Sequence, residues 1–176
     1  MKPSVDMENK QTGRIDCVVV AAGKYHDIDF ARLELLKLLG ENQRIRVRVF
    51  EDYANLDALR AADFLLTYTC EVIPSLEQQV ALREWLEQGG RWYALHGTNS
   101  ILRFLDNGLV DTPDWAPHLM ETLGSQFASH PPIAPFRVEV AKPEHPLVQG
   151  IEPFEVTDER YLMDMTAEVE VLLDTA

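Results

Sequence analysis

Three short segments place chemically capable side chains directly after apolar runs: "GKYHD" (23–27), "YTCE" (68–71) and "HGTN" (96–99). An imidazole is neutral near pH 7, so His26 and His96 can take up a proton, release one, or ligate a metal. His96 closes the run "RWYALH" and is followed by Gly97. A glycine beside the exposed residue lets the chain turn sharply and aims the side chain outward, as a nucleophile elbow does. Such a turn also frees backbone N–H groups that can bind an anion or polarise a carbonyl. Cys70 is the weaker candidate, because free cysteines at strand ends mostly serve packing.

These segments need elements to carry them. "IDCVVVAA" (15–22) is an unbroken valine-rich run, the pattern of a strand buried on both faces in a parallel sheet. "DFARLELLKLLG" (29–40) reads as a helix with Asp29 as its cap and Gly40 just past its end. "RIRVRVF" (44–50) alternates as a half-exposed strand, and "ADFLLTYT" (62–69) is a third, apolar one. In "PSLEQQVALREWLEQGG" (74–90), Ser75 and Gln78 make a capping box, and the twin glycines stop a helix whose expected apolar face is Leu76, Val80, Trp85 and Leu86. Strands alternating with helices predict a doubly wound α/β fold, a flavodoxin-like three-layer sandwich with a mainly parallel central sheet. Ligands of such sheets bind beyond the carboxyl ends of the strands, which places His26, Cys70 and His96 on one edge. Further on, "ILRFLDNG" (101–108) and "DWAPHLMETLG" (114–124) read as short helices, and "RVEVA" (137–141) and "VEVLLD" (169–174) as strands.

The chain of 176 residues and 20.0 kDa suits one domain, expected over 15–176 after a disordered polar lead-in at 1–14. It ends just after an apolar strand with no helix to cover it, so it is expected to be shorter than the natural protein. A net charge of −13 repels phosphate backbones, making nucleic acid and anionic membrane poor partners. Two cysteines and no leader or apolar span indicate reduced thiols and a cytoplasmic location. "AAGKYHD" lacks the G-x-G-x-x-G dinucleotide fingerprint, so NAD bound through that motif is not expected.

Four segments in order carry a resemblance: "AAGKYHD", "GGRWYALHGTNS", "LGSQFASHPP" and "HPLVQGIEPFEVTDERY". Together they resemble the trehalose-utilisation (ThuA-like) family, a branch of the class I glutamine amidotransferase-like fold, over roughly residues 15–173. Arg160 departs from that family's usual leucine, and Ala21-Ala22-Gly23 replaces a more glycine-rich turn. The family also runs on past the point where this chain ends.

The resemblance implies carbohydrate metabolism and, residue by residue, a site. His26 matches the His-Asp turn, His96 the elbow, His130 the Phe-x-x-His-Pro histidine, and Asp158, Glu159 and Tyr161 the acidic-tyrosine motif. True amidotransferases carry a cysteine at the elbow. Imidazole cannot replace a thiolate there, so ammonia release from glutamine is not implied. The expected catalytic residues are His96, His26 and Glu159, with substrate contacts from Gly23, Gly97, Thr98, His130, Asp158 and Tyr161. The expected partner is a small sugar or sugar derivative, with homo-oligomers left open.

Two mechanisms fit. In one, His96 and Glu159 are an acid–base pair acting on a sugar or keto-sugar, giving isomerisation, elimination or hydrolysis. In the other, His26, His96, His130 or Glu159 hold a divalent metal such as zinc. The alternative to either is a non-catalytic ligand-binding or accessory domain that kept the fold. His145 is explained by a turn into "PLVQGI", and His118 by a surface position.

Overall fold

The valine-rich run becomes the centre of a sheet. In the computed structural model, which describes residues 13–175, β1 (Ile15–Gly23) lies between β2 (Ile45–Phe50) and β3 (Phe64–Cys70), with β4 (Trp92–Leu95) outside β3. All pairings in this sheet are parallel, in the order β2-β1-β3-β4. That order matches the flavodoxin-like arrangement, and the fold is α/β with a mainly parallel central sheet. All but two residues of the expected polar lead-in fall outside the described residues.

Alternation along β1 explains why both faces are apolar. Cys17, Val19 and Ala21 point to one side, where they meet Leu66 of β3 and Leu39 of α1 (Ile28–Gly40). Val18 and Val20 point to the other, joining Leu65 and the helices α2 (Leu56–Arg60) and α3 (Leu76–Glu87). Leu82 of α3 is 0% exposed in that second layer. Leu82→Ala is expected to cost about 2–5 kcal/mol of stability, because a close-packed core cannot collapse onto the vacated volume; a urea titration reads it. A loss under about 0.5 kcal/mol, the range of surface changes, would contradict this account of the core.

Local chemistry sets the helix ends. Ser75 and Gln78 form the expected reciprocal capping box on α3. Its buried face differs from expectation: Gln79, Ala81, Leu82 and Trp85 face inward, while Leu76 and Val80 are exposed. Gln79 belongs inside because its amide donates to the Pro74 carbonyl and accepts from the Leu119 N–H. The cap of α1 is Asp27, whose Oδ1 accepts from the Phe30 N–H at 2.9 Å; Asp29 already sits inside the helix and pairs with Arg32. Gly40 is the last helical residue and adopts no left-handed turn.

The segment 101–108 is not helical. Arg103–Phe104 (β5) and Val110–Asp111 (β6) form a small antiparallel hairpin. Turn chemistry overrides helical spacing here: Gly108 has φ +80°, and the Asn107 side chain accepts from the Leu109 N–H. The second expected helix exists as α4 (Pro117–Leu123), with Pro at its start and left-handed Gly124 at its end. β7 (Ser125–Ser129) then pairs with β10 (Leu162–Met165), and β8 (Ala134–Val140) lies between β9 (Phe154–Asp158) and β11 (Leu173–Thr175), all antiparallel. The last expected strand is thus shorter than "VEVLLD", covering only its end. Among the described residues no helix is long and apolar enough to cross a membrane.

Candidate functional site

The carboxyl edge of the sheet concentrates backbone strain. Three non-glycine residues adopt the left-handed conformation, Tyr25 (φ +69°), Glu71 (φ +61°) and His96 (φ +48°), each just beyond the end of a different central strand. Such conformations persist only where the surroundings enforce them, and they cluster at sites of function.

The elbow at His96 is enforced from below. Trp92 Nε1 donates to Thr67 Oγ1 at 2.9 Å, Thr67 and Thr98 share a hydroxyl hydrogen bond of 3.0 Å, and Thr98 Oγ1 donates to the Leu95 carbonyl at 2.7 Å. Gly97 is pressed so close to β3 that a Cβ there would lie 2.9 Å from the Thr69 carbonyl oxygen. Thr98 and Gly97 therefore hold the turn, and the 3₁₀ turn His96–Asn99 carries the imidazole out from it.

His96 Nε2 lies 3.2 Å and 3.3 Å from the two ring nitrogens of His26, and 3.2 Å from the Tyr161 hydroxyl. Tyr68 stacks on His96 with ring centroids 5.4 Å apart, and Phe127 packs edge-on against Tyr161 at 4.6 Å. Glu159 lies beside this group, its Oε1 3.7 Å from His130 Nε2. His130 is oriented by its Nδ1, which donates to the Pro131 carbonyl. Residues 70 positions apart in the chain thus meet at one imidazole nitrogen.

Electrostatics assign protonation states. Burial first, and then the neighbouring His26, push the His96 pKa below its ordinary 6.5, so His96 is neutral at pH 7. Burial, followed by the Glu159 carboxylate, pushes the Tyr161 phenol upward, so it stays protonated. Burial drives the Cys70 thiol up to about 11 and the Cys17 thiol up to about 12, which removes both as nucleophiles at neutral pH.

Two cavities open at this cluster. One, of about 450 Å³, is lined by His26, Ser100, Phe104, His130, Glu159 and Tyr161 among others. The second, of about 370 Å³, is lined by His96, Thr98, Asn99, Ser125, Glu159 and Tyr161 among others.

Other expected residues take different places. Gly23 lies in the ladder opposite Cys70, beside a separate hollow between β1 and α1. Asp158 is exposed, and its Oδ1 accepts from the Glu159 N–H, orienting Glu159. His145 closes a turn by accepting from the Leu147 N–H, and His118 is a half-exposed residue of α4 near Glu121. Among the described residues no three His, Cys, Asp or Glu side chains are grouped so as to hold a metal ion. His26 faces His96, while His130 faces Glu159. Tyr68, Phe127, Asn99 and Ser100 escaped the sequence reading; they sit beside or within the quoted segments, and pairing across strands is what brings them in.

A model of the ThuA family, described as trehalose utilisation, matches residues 17–176. The chain belongs to the ThuA family. Two ThuA-like proteins of known structure share its fold. One, from Bacteroides uniformis, superposes with a TM-score of 0.68 at 19% identity, covering 93% of this chain and 68% of the other. The second, from Parabacteroides merdae, gives 0.61 at 13% identity, covering 92% of this chain and 68% of the other. No curated protein matches the chain. The elbow of this ThuA domain carries an imidazole and no thiol.

Proposed function

We propose that this ThuA domain is an enzyme of carbohydrate metabolism that performs acid–base chemistry on a sugar or keto-sugar related to trehalose. The observation that carries the reading is the meeting of His26, His96 and Tyr161 within 3.3 Å at the strained sheet edge, with Glu159 beside them. A neutral imidazole is the base such chemistry needs, and a protonated phenol beside it is a hydrogen-bond donor.

In the proposed first step the C–H bond beside the substrate carbonyl breaks. Its proton goes to His96 Nε2 and its electron pair moves onto the carbonyl oxygen, where the Tyr161 hydroxyl stabilises the developing charge. Return of the proton to the former carbonyl carbon, while the hydroxyl proton on the first carbon's oxygen passes to the old carbonyl oxygen, gives isomerisation. Loss of a neighbouring glycosyl oxygen, which leaves with a proton, gives elimination. Glu159 and His130 face each other at the cavity wall and supply or remove that second proton. Buried, reduced Cys17 and Cys70 agree with a cytoplasmic setting.

The test is a turnover screen against trehalose, oxidised disaccharides and simple ketoses, with and without zinc. Turnover indifferent to zinc is expected; binding without turnover would favour the accessory-domain alternative. The pH profile adds a signed expectation. Because the folded protein disfavours the imidazolium, the base form of His96 survives below pH 6.5, so kcat/KM falls only on the acid side of that value. Because Tyr161 is raised above its ordinary 10.0, its loss sets in only above that pH. An acid limb centred above 6.5 would count against His96 as the base.

A further inference from the structure

Two consecutive side chains hold oxygens with no hydrogen-bond partner, Asn99 Oδ1 and Ser100 Oγ. Both residues are more than nine-tenths buried, at 7% and 3% exposure. A buried acceptor or hydroxyl left unpaired carries the full penalty of its lost hydration. Two in succession at cavity walls point to a partner that arrives from outside the chain. Asn99 is also held in place, because its Nδ2 donates to Ser125 Oγ at 3.0 Å and to Met163 Sδ at 3.2 Å.

The two residues line different cavities. Ser100 belongs to the larger one and Asn99 to the smaller, while Glu159 and Tyr161 line both. Glu159 and Tyr161 are thus the wall residues that the two cavities share. Each has the volume of a small-molecule site, in the range of about 300–1,000 Å³. Their walls differ in kind. In the larger, Tyr25 and Phe104 form an aromatic pair with centroids 5.2 Å apart, both more than half exposed, joined by Leu102, Val110 and Phe127. The smaller is more polar, with Thr98, Asn99 and Ser125.

We infer that the site is divided into two subsites that bind one two-ring polyhydroxyl ligand astride Glu159 and Tyr161. One ring lays its C–H face on the Tyr25–Phe104 pair and gives a hydroxyl to Ser100; the other gives a hydroxyl to Asn99 Oδ1. The bond joining the rings then lies over Glu159 and Tyr161, beside His96. This inference rests on the sugar reading above and adds the residues that measure ligand length. Phe104 comes from the β5–β6 hairpin, so the hairpin becomes part of the specificity wall.

The experiment is calorimetric titration of glucose and of trehalose into the full chain and its Ser100→Ala and Asn99→Leu variants, with crystals soaked in each sugar. Trehalose is expected to bind at least tenfold more tightly than glucose. Its density should span both cavities, and each variant should weaken trehalose at least fivefold; glucose, which fills one cavity, should be weakened by one variant and left within about twofold by the other. Ser100→Ala removes one atom from the wall, so it stays informative if Asn99→Leu does not fold. Equal affinities for the two sugars, density confined to one cavity, ordered water that neither sugar displaces from the two oxygens, or no binding of either sugar would each overturn the inference. Trehalose bound astride the wall without turnover of any sugar leaves the subsites standing and removes the acid–base reading. Turnover of single-ring ketoses without tighter binding of trehalose does the reverse.

Discussion

On the proposed mechanism, replacing His96 by asparagine is expected to lower kcat/KM by about 10²–10⁴-fold, the contribution of a positioned general base, with the fold intact. Asparagine is chosen because His96 has φ +48°, a conformation that asparagine tolerates better than other side chains with a Cβ. The variant keeps a planar polar group near Tyr161 and His26 but offers no basic nitrogen. Circular dichroism and a thermal melt would confirm that the elbow survives, since Thr67, Thr98 and Gly97 still brace it. Alanine would mix two effects, loss of the base and an uncompensated strained turn. If His96→Asn turned over substrate at the wild-type rate, the base would have to be another group, and the neutral imidazole at the elbow would be a packing feature.

The second large effect is on stability. Gly23→Ala is expected to destabilise the protein by more than about 4 kcal/mol, or to prevent folding. Gly23 has φ +118°, and a Cβ built there would lie 1.9 Å from the Cys70 carbonyl oxygen. That oxygen belongs to the β1–β3 ladder and accepts from the Lys24 N–H at 3.1 Å, so no flexible side chain can yield; backbone must move. The displacement would also reach His26, three residues on, and with it the His26–His96 contact. Gly40→Ala is the matched control. Gly40 is helical with nothing within 4 Å of the added Cβ, so its replacement should stabilise by up to about 1 kcal/mol. Urea denaturation of the two variants side by side reads the contrast. Similar midpoints would mean that the β1–β3 strand ends are not in the close contact that positions the site.

The primary structure was enough to locate elements where one local signal acts alone. The valine-rich run of β1 has a single way to hide both faces, inside a parallel sheet, and Ser75 with Gln78 caps α3 through atoms three residues apart. His26 and His96 were legible for the same reason, as polar residues in the turns that follow apolar strands. Competition between signals needed the third dimension. Segment 101–108 has apolar residues at spacings that suit a helix, yet Asn107 and Gly108 close a hairpin, and Phe104 is thereby delivered to the rim of the larger cavity. The pattern of α3 puts Val80 on the apolar face, but Val80 is exposed and Gln79 is buried instead. Their places are exchanged because Pro74 and Leu119 present a carbonyl and an N–H that only an amide can satisfy. Tyr161 shows the same limit at the site. Its motif could be read from the chain, but its hydroxyl reaches His96 only because β9 and β10 fold back beside the turn after β4. Periodicity and capping act over a few residues, so the chain alone sets them. Convergence of an imidazole, a phenol and a carboxylate depends on strand order and register, which only the packed whole decides.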